Sequence, residues 1–194
     1  MHKFIVIEGV DWSGKWTQVE LIKKNLENNG YSVWILDFPQ YEKESSYFVK
    51  KYLNGNYWTL EEVWPQVASL FYALDRYDAK KSILKLMSEK DYIISNRYVS
   101  ANLVHQSTKL PEQEIDNFIK WASDLEYNIL WLPKPDITLF LNIEHTTSNK
   151  LIKTKIERNY IENGSNVDLH ESNIHHLSQA VNIGRKISQI LPKW

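Results

Sequence analysis

Residues 4–18, FIVIEGVDWSGKWTQ, decide the fold: an apolar run, a loop framed by Gly9 and Gly14-Lys15, then the start of a helical pattern. Residues 3–8 read as a strand ending at Gly9, and Val19, Ile22 and Leu26 recur at helical spacing through residues 17–28. A G-x-x-x-x-G-K loop between strand and helix forms an anion nest. Its backbone N–H groups converge on phosphate oxygens and its lysine reaches the β- and γ-phosphates. The strict motif continues with Ser or Thr, whereas this chain has Trp16, with the hydroxyl of Thr17 next to it. A second indole, Trp12, stands inside the loop.

Working outward, Gly30 stops the first helix, and residues 31–38 form a second apolar strand closed by Pro39. Residues 91–95 (DYIIS) and 136–143 (DITLFLNI) read as a third and a fourth. Helical patterns run through residues 60–87, 111–127 and 172–191. Near-continuous apolar strands separated by helices predict an α/β fold, a parallel sheet covered on both faces. The length of 194 residues suits a single domain, residues 1–194.

Composition narrows the chemistry. A net charge of -1 argues against a polyanion-binding surface, so no nucleic-acid partner is expected and any anion site is local. With no cysteine, disulfides and thiolate metal sites are excluded. The apolar run near the N-terminus is too short for a leader or a membrane span, which predicts a cytoplasmic protein with no membrane partner. The six histidines show no metal-ligand spacing, so no protein-held metal is expected.

Six stretches in order carry a resemblance: EGVDWSGKWTQ (8–18), LDFPQY (36–41), ASLFYALDRYD (68–78), SNRYVSANLVHQ (95–106), LPKPD (132–136) and ERNYIENG (157–164). Together they resemble thymidylate kinase. The resemblance implies a P-loop NTPase three-layer sandwich and transfer of the γ-phosphoryl of ATP, carried with Mg²⁺, to dTMP to give dTDP. It also implies a homodimer, a lid at about residues 146–166, and a fifth strand beyond the last helix, where this chain ends; four strands are visible.

The resemblance assigns Gly9, Asp11, Trp12, Ser13, Gly14, Lys15, Trp16 and Thr17 to ATP, and Lys15, Arg97 and Arg158 to catalysis. It assigns Asp11, Phe38, Pro39, Tyr41, Tyr72, Arg76, Arg97, Asn102, Gln106 and Tyr160 to the acceptor nucleotide. The residue types suit these roles. Tyr72 and Arg76 lie four apart on one helical face, as a stacking ring and a donor to a carbonyl oxygen should. Arg97 follows the third strand, at the sheet edge where open α/β folds bind ligands. His105 reads as a structural histidine, and residues 168–171 (DLHE) as a cap for the last helix.

The chain also departs from the pattern. Asn96 stands where Asp is usual, Gln40 where Arg is common and Ala101 where Ser is frequent. Trp12, Trp16, Trp58, Trp64 and Trp131 occupy glycine-like places, while the whole chain has 6 Gly and 8 Trp. One cause would unite them: UGA codons that the source genome reads as glycine, translated as tryptophan. Two alternatives stay open beside the dTMP kinase, namely a kinase for another nucleoside monophosphate and a catalytically impaired or non-catalytic nucleotide-binding relative.

Overall fold

A computed structural model of the chain describes residues 2–11, 13–59, 62–143 and 174–191. Its centre is β1 (Lys3–Glu8), whose side chains alternate between two cores. Phe4 and Val6 join Ile93, Leu103, Phe118 and Ile187 on one face. Ile5 and Ile7 join Val19, Ile22, Leu26 and Ile94 on the other. Layers on both faces of one sheet result, the arrangement expected from the strand composition.

The order of elements is β1, α1 (Lys15–Asn28), β2 (Val33–Asp37), a 3₁₀ turn (Glu44–Ser46), α2 (Tyr47–Leu53) and α3 (Pro65–Glu89). There follow β3 (Tyr92–Asn96), α4 (Val99–Ser107), α5 (Glu112–Asp124), a π-helical turn (Leu125–Ile129), β4 (Ile137–Phe140) and α6 (Ile174–Ile190). The described strands are all parallel, in the order β2-β3-β1-β4, with Phe4 opposite Ile93, Ile35 opposite Ile94 and Val6 opposite Thr138. From β1 the chain crosses first to β2 beyond β3, and only later to β4 on the opposite side. This reversal makes the carboxyl ends of β1 and β3 a topological switch point.

Two helices were not anticipated from the sequence. In α4, eight of nine residues are buried, so no polar stripe marks a helical period. The short α2 turns Val49, Tyr52 and Leu53 onto Ala68 of α3, forming a small separate core. The helix read from residue 60 starts at Pro65 instead, because proline fixes a helical φ at a first position and biases the preceding Trp64 toward extended backbone. The lid segment, residues 168–171 and Trp12 lie outside the described residues.

Two positions give direct stability tests. A Cβ at Gly184 of α6 would overlap the ring of Phe140 on β4. Overpacking costs about 1–3 kcal/mol and alanine regains about 1 kcal/mol of helix propensity. Gly184→Ala is therefore expected to lower stability by roughly 1 kcal/mol, read as a lower urea midpoint at unchanged slope. Trp131 shows the opposite case, with φ 55 and 72% exposure. A left-handed backbone costs a non-glycine residue about 1–2 kcal/mol, more than the extra unfolded-state entropy of glycine. Trp131→Gly should raise the urea midpoint, by roughly 0.5–1 kcal/mol of stability.

Candidate active site

At the carboxyl end of β1 the chain turns sharply at Gly9 (φ 155) and again at Gly14 (φ 80). A Cβ at Gly9 would sit 2.7 Å from the Ser13 hydroxyl and 3.2 Å from the Leu141 carbonyl, so the loop closes only around glycine. The Gly9 N–H donates to Glu8 Oε1 at 2.9 Å. Lys15 Nζ donates to the Gly9 carbonyl at 3.0 Å and the Val10 carbonyl at 2.7 Å, folding its buried side chain across the loop. No side chain caps the start of α1. Its first N–H groups are thus directed at the mouth of the loop, as an anion site requires.

A cavity of about 460 Å³ opens here. Among its walls are Asp11, Ser13, Gly14, Lys15, Trp16 and Thr17 from the loop and α1, with Phe38, Pro39 and Tyr41 after β2. Tyr72 and Arg76 come from α3, Arg97 from the end of β3, and Asn102 and Gln106 from α4. Five elements thereby bring together residues spread over nearly a hundred positions. Arg158, Tyr160 and Trp12 lie outside the described residues, and Gly9 shapes the loop behind the wall. Trp16 is the second residue of α1 and is 43% exposed at the cavity wall.

Arg97 holds the middle of the cavity. It adopts a left-handed backbone (φ 63), with its N–H donating to the Ile7 carbonyl at 3.0 Å. Its Nη2 donates to Asp11 Oδ1 at 2.5 Å, its Nη1 meets His105 Nε2 at 2.8 Å, and Glu8 Oε1 lies 3.8 Å away. Burial disfavours the guanidinium charge, yet the Asp11 and Glu8 carboxylates outweigh it and hold the group above its ordinary pKa. The cation is therefore permanent and directed by three partners. His105 read as a structural histidine in the sequence, and its partner is Arg97: arginine has no acceptor, so the imidazole must accept at Nε2.

Other holders went unread in the sequence. Glu8, 1% exposed, also accepts from the Ser100 hydroxyl at 2.8 Å. Asp75 accepts from the Gln40 N–H at 2.9 Å and the Ser45 hydroxyl at 2.5 Å, pinning the loop after the cis Phe38–Pro39 peptide against α3. Asn96 Nδ2 donates to Asp37 Oδ1 at 2.7 Å, both at the cavity wall. Glu126 accepts two bonds from Arg76, at 2.5 and 2.6 Å, and one from Asn102 Nδ2 at 3.0 Å. Glu8, Asp75 and Glu126 are buried carboxylates and Asp37 an exposed one, each far in sequence from the group it serves, and no local pattern signals such a contact.

The thymidylate kinase family model matches residues 7–190. The chain belongs to the thymidylate kinase family. Thymidylate kinase of Mycobacterium tuberculosis (strain CDC 1551 / Oshkosh) is 32% identical over 155 residues, covering 79% of this chain and 72% of that protein. A probable thymidylate kinase of Pyrococcus horikoshii is 28% identical over 158 residues, covering 78% and 70%. The solved thymidylate kinase of Candida albicans superposes with a TM-score of 0.72 at 23% identity, over 96% of this chain and 77% of that one, and so shares the fold. For a thymidylate kinase family member, a phosphate loop at one end of the cavity and paired polar groups at the other form one continuous site.

Proposed function

We propose that this chain transfers the γ-phosphoryl group of ATP to dTMP, giving dTDP. The observation that carries the reading is a single cavity joining the Lys15 loop to the Arg76–Asn102 pair, with the Arg97 cation between them. Lys15 and the loop amides, with Trp16 and Thr17 beside them, hold the ATP phosphates. An oxygen of the dTMP phosphate attacks the γ-phosphorus as the bond to the β–γ bridging oxygen breaks, and ADP leaves. The attacking oxygen is already anionic, so no general base is needed; positioning and charge neutralisation carry the step. Arg97, and Arg158 from the lid, neutralise charge on the transferring group. Phe38, Pro39, Tyr41, Tyr72, Asn102, Gln106 and Tyr160 surround the acceptor, with Asp11 at the sugar.

ATP brings Mg²⁺, which neutralises phosphate charge when bound. The donor set fits a hard cation. The Asp37 carboxylate at the cavity wall is an oxygen donor, and Asn96 meets it through Nδ2. Asp37 would hold the ion's water shell, oriented by Asn96, with the carboxylate on β2 rather than at position 96.

Turnover of dTMP, dUMP, dGMP and AMP with ATP, followed by coupled ADP release, tests the reading. Phosphorylation of dTMP in preference to the others is expected. A folded chain that binds ATP yet phosphorylates none of them, with or without glycine at 12 and 16, would overturn it.

A homodimer in the cytoplasm belongs to the same reading. No helix among the described residues is long and apolar enough to cross a membrane. On α3, Val67, Leu70, Leu74, Tyr77 and Leu84 are each 41–49% exposed. They follow a three-four spacing that Lys81 completes, the seam two copies would share about a two-fold axis. Light scattering should show dimers for the native chain and monomers for Leu70→Glu with Leu74→Glu; a native monomer at tens of micromolar refutes the pairing.

A further inference from the structure

We infer that Glu126 is a positioning residue that sets the hydrogen-bonding polarity of the base end of the cavity. Through Asn102 and Arg76 it makes the site read a pyrimidine with an N3–H beside a C4 carbonyl and refuse the reverse pattern. The inference rests on the nucleoside-monophosphate kinase reading above and names what sets its choice of base.

Glu126 is fully buried in the π-helical turn after α5, a local widening of the helix that often accompanies functional sites. The turn is fastened by the Leu130 N–H donating to the Leu125 carbonyl at 2.8 Å and the Leu132 N–H to the Glu126 carbonyl at 3.0 Å. The Glu126 carboxylate takes Arg76 Nε and Nη2 side-on, and one of its oxygens also takes Asn102 Nδ2. The guanidinium stays charged because the carboxylate outweighs the burial that disfavours it. With Nε and Nη2 engaged on Glu126, Arg76 has the donors of Nη1 to offer a ligand.

The consequence for Asn102 follows from what a carboxylate can do. An ionised carboxylate accepts and never donates, so the amide facing it must turn its NH₂ inward. The second Nδ2 hydrogen has the Ser69 carbonyl at 3.3 Å. Asn102 Oδ1 is thereby directed away from Glu126 and is buried without a partner, as is Gln106 Oε1, and both residues line the cavity. A donor from Arg76 beside an acceptor from Asn102 complements a C4 carbonyl beside an N3–H, the edge of thymine or uracil. Cytosine presents a C4 amine beside a bare N3, and would set donor against donor and acceptor against acceptor.

Glu126→Gln tests this without a large change of volume. Glutamine keeps one acceptor where glutamate has two, and when its oxygen stays on Arg76 Nε its NH₂ faces Asn102. Asn102 then rotates to offer Oδ1 to residue 126 and NH₂ to the cavity. Equilibrium binding of dTMP and dCMP, measured by titration calorimetry alongside ATP, reads the outcome independently of turnover. The expected result is a preference for dTMP over dCMP reduced at least tenfold, with ATP affinity within about threefold of the native chain.

An unchanged ratio, or equal loss for both nucleotides, overturns the inference. Asn102→Ala leaves the buried pair intact and settles the same point if the glutamine variant does not fold. Loss of the preference supports the proposal and its retention refutes it. In the Asn102→Ala background, Glu126→Gln should change the ratio no further; a further fall would mean that Glu126 acts without Asn102. Failure of the native chain to turn over bound dTMP would instead count against the kinase reading alone.

Discussion

Arg97→Ala is expected to lower kcat for dTMP by about a thousandfold or more, with a smaller rise in KM for either nucleotide. A guanidinium between donor and acceptor phosphates opposes charge that is greatest during transfer, and removing such a group costs on the order of 10³–10⁵ in rate. Three features preset this group: the bond to Asp11, the contact with His105 Nε2, and the Glu8 carboxylate 3.8 Å away. Little reorganisation is then left for the reaction itself. Arg97→Lys should recover a small part of the rate, since an ammonium supplies charge but not the two-pronged geometry. Deleting the cation also leaves the Asp11 and Glu8 carboxylates without it, so the melting temperature should fall as well. Steady-state kinetics at a temperature where both proteins are folded separates the effects. A loss of less than tenfold in kcat would remove Arg97 from the transferring phosphate.

Replacing Trp12 and Trp16 together by glycine should raise kcat/KM for ATP by roughly ten- to a hundredfold. The glycine-like place that Trp12 occupies in the sequence often needs positive φ in a phosphate nest, which costs a bulky residue about 1–3 kcal/mol, and each 1.4 kcal/mol is a factor of ten. Position 16 contributes differently. Trp16 lies in the first turn of α1, where no left-handed conformation is needed, but its half-exposed indole stands in the cavity wall beside Lys15 and Thr17. Glycine there removes bulk next to the site of the phosphates. Kinetics of the two single variants and the double variant give the division, and a double variant no better than the native chain would overturn the expectation.

The same two positions belong to the set of five that one decoding error would explain. Trp58, Trp64 and Trp131 are 65%, 72% and 72% exposed, far more than a large indole that earns its place by packing, and Trp131 has a left-handed backbone as well. Reading the gene tests the idea directly: UGA is expected at 12, 16, 58, 64 and 131, and UGG at these codons would refute it.

Much of the phosphate end of the site could be read from residues 4–18, because a loop of this kind is built from contiguous chain. The glycines at 9 and 14 sit where backbone must close on itself or turn left-handed, and Lys15 follows at a fixed distance. Tyr72 with Arg76 was likewise legible as a pair four apart on a helical face, whereas Asn102 and Gln106 came only from the resemblance. The boundaries of α3, and the existence of α2 and α4, were harder. A helix buried on nearly all sides has no polar face, and Pro65 overrides the apolar pattern that precedes it.

The limit of that reading appears at His105 and Glu126. Local chemistry along the chain was sufficient for the class of fold and the loop, which depend on periodicity, turn geometry and the intrinsic properties of side chains, while most of the other cavity-wall residues came from the resemblance of the ordered motifs. Which way the polar groups face was settled by tertiary structure alone. Glu126 reaches Arg76 across 50 positions, Arg97 reaches Asp11 across 86, and Glu8 takes the Ser100 hydroxyl across 92. Hydrogen-bond direction in a buried site depends on which donor and acceptor are brought face to face. That pairing exists only after parallel strands and their crossover helices have been assembled.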